Sequence, residues 1–303
     1  AFTESVYRQN MPLQTEHYRQ IIHSFVHYLE LLGYADLGMW GAKYFLQQME
    51  LKGVLKLEQI TTPDIKEHYA YLQTRLSAKG TPLSPHTIQG YLYDIRQLLR
   101  WAERTGQIHL SPMAGMRFPT PPASERAILT KAEIKVLYAA CQEPVERLTL
   151  SLFYGCGLRA SEGAQLNLKD INTQGKLLYV RQGKGRKRRV IPLTQKIVQH
   201  IENYVQEQRP LKVSRFTNEG HSSALALNRY GRRMQGCSYR KIFKDLLRQQ
   251  EQIRQDVSLH SLRHSIATHL LADGMRLERV RDFLGHDCLE TTQIYVRINL
   301  DQL

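Results

Sequence analysis

Residues 260–296 read HSLRHSIATHLLADGMRLERVRDFLGHDCLETTQIYV. The apolar residues Leu262, Ile266, Leu270 and Leu271 recur at helical spacing, and Asp273-Gly274 supplies a stop. His260 and Arg263 are therefore expected one turn apart at the start of a helix, with His264 beside them. A second run, Leu277, Val280, Phe283 and Leu284, ends at Gly285, which can take the left-handed conformation that closes helices, so His286 should lie just beyond it. A third helix is predicted to begin near Thr291 or Thr292 and to carry Tyr295 in its first turn. Any one of these side chains at a helix end is ordinarily structural. Together they supply donors, a nucleophile and proton carriers, the groups that phosphoryl transfer requires.

The rest of the chain agrees with an anionic partner. Among 303 residues, 42 Lys and Arg oppose 28 Asp and Glu, a net charge of +14. An excess of that size in a folded chain favours nucleic acid. No basic amphipathic helix stands out that would suit a membrane surface, no run of eighteen apolar residues occurs, and no signal-peptide pattern opens the sequence, which starts at Ala1. A soluble, cytoplasmic protein is expected. Cys141, Cys156, Cys237 and Cys288 are scattered without metal-ligand spacing, so neither disulfide nor metal is expected, and all four read as buried small hydrophobes. The 42% of apolar residues can build two cores.

Residues 1–117 read as four main helices. Tyr18, Ile21, Ile22, Phe25, Tyr28, Leu29 and Leu32 follow the helical period and stop at Gly33, and a second helix covers about Gly41–Leu51. Thr62-Pro63-Asp64 and Ser84-Pro85-His86 each place a capping residue before a Pro at the first helical position. Lys66, Arg75, Lys79, His86, Arg96 and Arg100 look exposed, as phosphate contacts or simply as a solvated face. Three Pro in Phe118-Pro119-Thr120-Pro121-Pro122-Ala123-Ser124 cannot continue a helix, and residues 118–126 are taken as a linker.

Residues 127–303 form the second domain. Thr130-Lys131-Ala132-Glu133 has the capping-box pattern. An apolar helix from Val145 to Tyr154 breaks at Gly155-Cys156-Gly157, which puts Arg159 at the mouth of a new helix, where backbone N–H groups also attract anions. Glu162, three residues on, shares its face and can hold the guanidinium. Leu177–Arg181 and Arg188–Leu193 read as two strands joined by Gln182-Gly183-Lys184-Gly185-Arg186-Lys187, a basic turn able to enter a DNA groove through Lys184, Arg186, Lys187 and Arg188. The basic region 208–237 precedes a helix near Tyr239–Ile253 and resists a firmer reading. The fold class is mainly α with a small antiparallel β-sheet.

Arg159 in GLRASE, Lys184 in GKG, His260 and Arg263 in HSLRH, His286 after Leu284-Gly285, and Tyr295 in TTQIYV stand in the order, and near the spacing, of the tyrosine site-specific recombinases. The chain resembles that family over nearly its whole length, the Xer-type recombinases and transposon integrases most. The resemblance implies a helical core-binding domain and a catalytic domain that together clamp duplex DNA. It implies that Tyr295 attacks the scissile phosphate to give a 3′-phosphotyrosyl link, and that paired exchanges pass through a Holliday junction. The expected partner is double-stranded DNA with a short inverted-repeat core site, bound by a homotetramer with two protomers per site. A second recombinase or an accessory protein is a further candidate partner, and no cofactor is implied.

Under this resemblance Arg159 and Arg263 face the non-bridging oxygens, where loss of one donor costs on the order of 3 kcal/mol. Lys184 protonates the leaving 5′ oxygen, His260 helps take the proton of Tyr295, and His286 hydrogen-bonds the phosphate. Glu162 and His264 support from behind, and Arg96, Arg100, Arg186, Lys187 and Arg188 contact DNA. Only eight residues follow Tyr295, where relatives continue into a helix that docks on a neighbouring protomer, and the first helix is expected to open the core-binding region without an additional arm-binding domain. A topoisomerase-like enzyme that merely reseals, and a DNA-binding protein without catalysis, are the alternatives.

Overall fold

The computed structural model describes residues 12–32, 39–78, 80–121, 127–181, 188–213 and 219–285. The chain divides into two compact units, Ala1–Ser124 and Glu125–Leu303.

The first unit holds helices α1 (Glu16–Leu31), α2 (Trp40–Leu51), α3 (Thr62–Thr74) and α4 (Pro85–Arg104). Each buries the stripe its apolar period dictates: Tyr18, Ile21 and Phe25 from α1, Phe45, Leu46 and Met49 from α2, Ile65 and Leu72 from α3, and Leu92, Ile95, Leu98 and Leu99 from α4. The amides that open α1 are met from α2, since Glu50 accepts from the backbone of Gln14 and Thr15 at 3.1 and 2.7 Å. A carboxylate there also suits the positive end of the helix dipole. Ser84 caps α4 as expected, accepting from the Thr87 amide at 3.1 Å.

Two readings of this unit are corrected. Helix α3 is capped by Thr61, whose backbone and hydroxyl both donate to Asp64 at 2.8 and 2.6 Å, so Pro63 occupies the second helical position. Arg75 is not exposed. It is 5% accessible, lies 4.3 Å over the Tyr44 ring, and donates to the Tyr91 hydroxyl at 3.1 Å. Aromatic faces attract a guanidinium as water does, which lets a cation enter this core. Lys66 and His86 are exposed as read, whereas Lys79 lies outside the described residues.

The second unit contains α5 (Lys131–Ala140), α6 (Pro144–Leu150) continued by a wider turn over Ser151–Gly155, α7 (Ala160–Gln165), β1 (Ile171–Asn172), β2 (Leu177–Val180), β3 (Arg189–Pro192), α8 (Gln195–Asn203), the short α9 (Arg209–Lys212) and α10 (Glu219–Ser222), α11 (Gly236–Arg248), α12 (Leu259–Ala272) and α13 (Leu277–Leu284). The strands form one antiparallel sheet in the order β1-β2-β3, with Leu178 opposite Ile191 and Val180 opposite Arg189. Strand β1 escaped the sequence reading because two residues carry no alternation to detect. Thr130 and Glu133 do form the reciprocal cap of α5, at 2.7 and 3.2 Å.

Helix α12 packs on the Ser151–Gly155 turn and on α11, and α13 packs on α12 and β3. Leu148, Phe153, Tyr239, Phe243 and Leu262 share one core, while Val280 and Leu284 of α13 pack with Ala267 of α12 in a smaller one. Helix α11 starts three residues earlier and ends five residues earlier than expected, because Gly236 is already helical and Ile253 is buried in the turn that follows. Of the cysteines, Cys141 and Cys156 are buried as read, but Cys237 is exposed on the first turn of α11. Cys288 falls outside the described residues. Within 208–237, Arg209 donates to the carbonyls of Ala224 and Leu225 at 3.1 and 3.2 Å, and Arg233 to those of Ala164 and Leu166 at 3.2 and 3.0 Å. These two guanidiniums fasten the loop to the core, adding to the backbone bond from the Leu225 amide to the Leu166 carbonyl at 2.9 Å.

Candidate active site

Arg159 is the N-cap residue of α7, as the double-glycine break predicts. The chain reaches it through Gly157 at φ +58°, where a Cβ would stand 3.0 Å from Leu284 and 3.1 Å from Phe283. Only glycine lets the backbone come this close to α13. Glu162, on the first turn of α7, accepts from the Arg159 amide and from its Nη1, both at 2.8 Å. The pairing read from the sequence is present, and Glu162 is buried, with 1% of its side chain accessible.

Two more guanidiniums reach the same carboxylate. Arg189 comes from β3 in a bidentate pair, Nη1 to Oε1 at 2.9 Å and Nη2 to Oε2 at 2.8 Å. Arg263, on α12 and 1% accessible, holds Nη1 at 3.8 Å from Oε2. Burial alone would raise the Glu162 pKa. The hydrogen bonds and charge of Arg189, the Arg159 amide and the charge of Arg263 outweigh it and hold the carboxyl at about 2.

The same three arginines also grip the end of α13. Arg189 Nε donates to the Phe283 carbonyl at 2.9 Å, Arg263 Nη2 to that of Leu284 at 2.6 Å, and Arg159 Nη2 to that of Gly285 at 3.2 Å. Arg263 Nη1 donates as well to the Gly157 carbonyl. Helix C-termini leave their last carbonyls without intrahelical partners and carry partial negative charge, so three successive oxygens form a natural receptor for guanidinium groups. Gly285 closes the helix at φ +65°, as predicted. His286 is the next residue in the chain and lies outside the described residues.

His260 is exposed on the first turn of α12, and its ring meets the buried His264 edge-on at 4.3 Å between centroids. His264 thus stands behind His260 rather than in the open. Arg188 is exposed immediately before β3. In the first unit Arg100 is exposed, whereas Arg96 is half-buried and donates to the Met116 carbonyl at 3.2 Å. Lys184, Arg186, Lys187 and Tyr295 lie outside the described residues.

The structure brings Arg159, Glu162 and Arg263 together and adds Arg189, which the sequence placed only within the strand Arg188–Leu193. The signal was the strand period. Arg189 and Ile191 share one face of β3, and Ile191 is fully buried, so Arg189 points inward too. Three guanidiniums around one carboxylate leave two positive charges in excess, a setting for an anionic phosphate.

The model of the phage integrase family matches residues 127–301. The chain belongs to that family. Its phage integrase relatives include a tyrosine recombinase XerC of Chlamydia trachomatis serovar L2, 34% identical over 222 residues, which span 72% of this chain and 68% of the relative. A tyrosine recombinase XerD of Listeria innocua is 28% identical over 261 residues, 84% of each chain. In fold, the Tn1549 transposon integrase in complex with a circular intermediate DNA matches with a TM-score of 0.70 at 18% identity, covering 93% of this chain and 99% of that one. This phage integrase family member is accordingly a tyrosine recombinase of mainly helical fold with a small antiparallel sheet. Among the described residues no helix is long and apolar enough to cross a membrane.

Proposed function

We propose that this chain cuts and rejoins DNA at specific sites through a 3′-phosphotyrosyl intermediate and a Holliday junction. The observation that supports this reading most is the convergence of Arg159 and Arg263 on Glu162, at the end of the helix that leads to His286. The DNA complexes known for structural relatives such as the XerH recombinase bound to its difH substrate agree with it.

The residues divide the chemistry as follows. Tyr295 attacks the scissile phosphorus, a bond forms from its phenol oxygen, and the bond to the 5′ oxygen breaks. A phenol has a pKa of about 10, so its proton must pass to an acceptor, and the exposed His260 takes it. Lys184 gives a proton to the departing 5′ oxygen. Arg159, with 22% of its side chain accessible, faces the non-bridging oxygens, and Arg263 adds its charge from the core. His286 donates to the same phosphate. The phosphotyrosyl bond keeps the energy of the phosphodiester, so rejoining is the same reaction run towards a new 5′ hydroxyl and no cofactor is involved.

The first unit serves as the core-binding domain, with Lys66, His86 and Arg100 on its accessible surface, and the second carries the catalysis. Two protomers occupy one inverted-repeat site and two sites assemble a homotetramer in the cytoplasm, alone or with a second recombinase or accessory protein. Two differently labelled DNA fragments that carry the site test this. Recombinant strands and a four-way junction that accumulates with a blocked second exchange are expected. Cleavage followed only by resealing of the original strands would turn the reading to a topoisomerase-like enzyme.

A further inference from the structure

Glu162 raises a problem of charge. A buried carboxylate beside Arg159 and Arg263 competes with the phosphate for the same two guanidiniums. With only these partners, each donor that turns to the carboxylate turns away from the substrate. The structure answers with Arg189. Its side chain, 9% accessible, gives each Glu162 oxygen one of two parallel N–H groups at 2.9 and 2.8 Å, beside the bonds from Arg159. Its remaining Nε donates to the Phe283 carbonyl at 2.9 Å, so all three nitrogens of the guanidinium donate to protein. Space is set to the same end, because a Cβ on Gly285 would lie 3.0 Å from Arg189 Cδ.

We propose that Arg189 is a positioning residue that neutralises Glu162, so that the carboxylate orients Arg159 and Arg263 while their charge stays directed at the scissile phosphate. Arg189 touches no reacting atom. It fixes the carboxylate between β3 and α13, and it keeps two positive charges in excess at the site where one would otherwise remain. A Lys in its place preserves charge but cannot form the fork, whereas an uncharged Met of similar length preserves neither. This proposal rests on the phosphoryl-transfer reading above, and the test separates the two.

The full chain is compared with Arg189→Lys and Arg189→Met in single-turnover cleavage of nicked site DNA, with a phosphodiester or an uncharged methylphosphonate at the scissile position. On the phosphodiester, Met is expected to slow covalent adduct formation about a hundredfold and Lys about tenfold, with DNA affinity within twofold of the parent. On the methylphosphonate, which lacks the negative oxygen, the Met deficit should shrink to a few-fold. An equal deficit on both substrates, or loss of DNA affinity in step with the melting temperature, assigns Arg189 to structure alone and overturns the proposal. Rescue instead by a 5′-bridging sulfur, a leaving group that needs no proton, would place its effect on the hairpin and also overturn it.

Orthovanadate binding supplies an arm without catalysis, with Arg159→Met marking the signal that belongs to this site. A roughly tenfold weaker site in Arg189→Met, with Lys intermediate, supports the proposal even where the parent forms no adduct and the recombinase reading falls. Unchanged vanadate affinity in both variants counts against it.

Discussion

Arg189 and Glu162 stand 27 positions apart and meet through two parallel hydrogen bonds of 2.9 and 2.8 Å. That pair joins the edge of the sheet to the first turn of α7, and through Phe283 to the end of α13. The acidity of Glu162 follows from it. A carboxyl held at about 2 in the folded chain, against 4.5 for the ordinary group, stabilises the fold above pH 4.5 and loses that contribution as pH falls towards 2. Between pH 5 and pH 3 the loss is about 2 kcal/mol. Denaturant titrations of the full chain at the two pH values should show it, and Glu162→Gln should flatten that part of the acid dependence.

Gly285 tests the same joint from the other side. Its φ of +65° is costly for any residue with a Cβ, and that Cβ would press on the Arg189 side chain at 3.0 to 3.1 Å. Gly285→Ala should lower stability by about 1–2 kcal/mol from the backbone alone and should slow adduct formation further by displacing Arg189. Thermal unfolding and single-turnover cleavage read the two effects separately. A stable variant with unimpaired cleavage would show that the contact has no consequence.

These joints explain what the sequence could and could not disclose. Helices α1 to α4, α12 and α13 were legible because one apolar stripe and a capping residue or glycine mark each of them. Arg159, Glu162 and Arg263 were legible because two of them lie three residues apart on one short helix and the third shares a turn with His260. Arg189 was hidden by its neighbours, since it follows a basic turn read as a DNA contact, and only strand alternation turns it inward. Arg75 was hidden for a different reason. Its partners Tyr44 and Tyr91 come from two other helices, and only their packing supplies the aromatic faces that accept a cation.

The first unit carries an acid sensitivity of its own. His68 is 3% accessible, and burial, then the charges of Arg75 and Lys52, lower its pKa from 6.5 to about 4. The unfolded chain therefore gains a proton first as pH falls below 6.5, and the stability present above that pH is progressively lost down to about 4. Between pH 7 and pH 5 the loss is about 2 kcal/mol. The Nε2 atom of His68 makes no hydrogen bond, so His68→Phe keeps a ring among Tyr44, Phe45 and Tyr71 and breaks no bond at that position. Denaturation at the two pH values should show a smaller difference in that variant.

The most direct test of the central claim is covalent trapping on nicked duplexes that carry the site, with the parent chain and Tyr295→Phe side by side. The parent should give a denaturation-resistant protein–DNA adduct through a 3′ phosphate, and Tyr295→Phe should bind the same DNA with equal affinity and give none. An adduct that survives the loss of the phenol hydroxyl, or DNA bound tightly by the parent with no adduct on any substrate, would contradict the account.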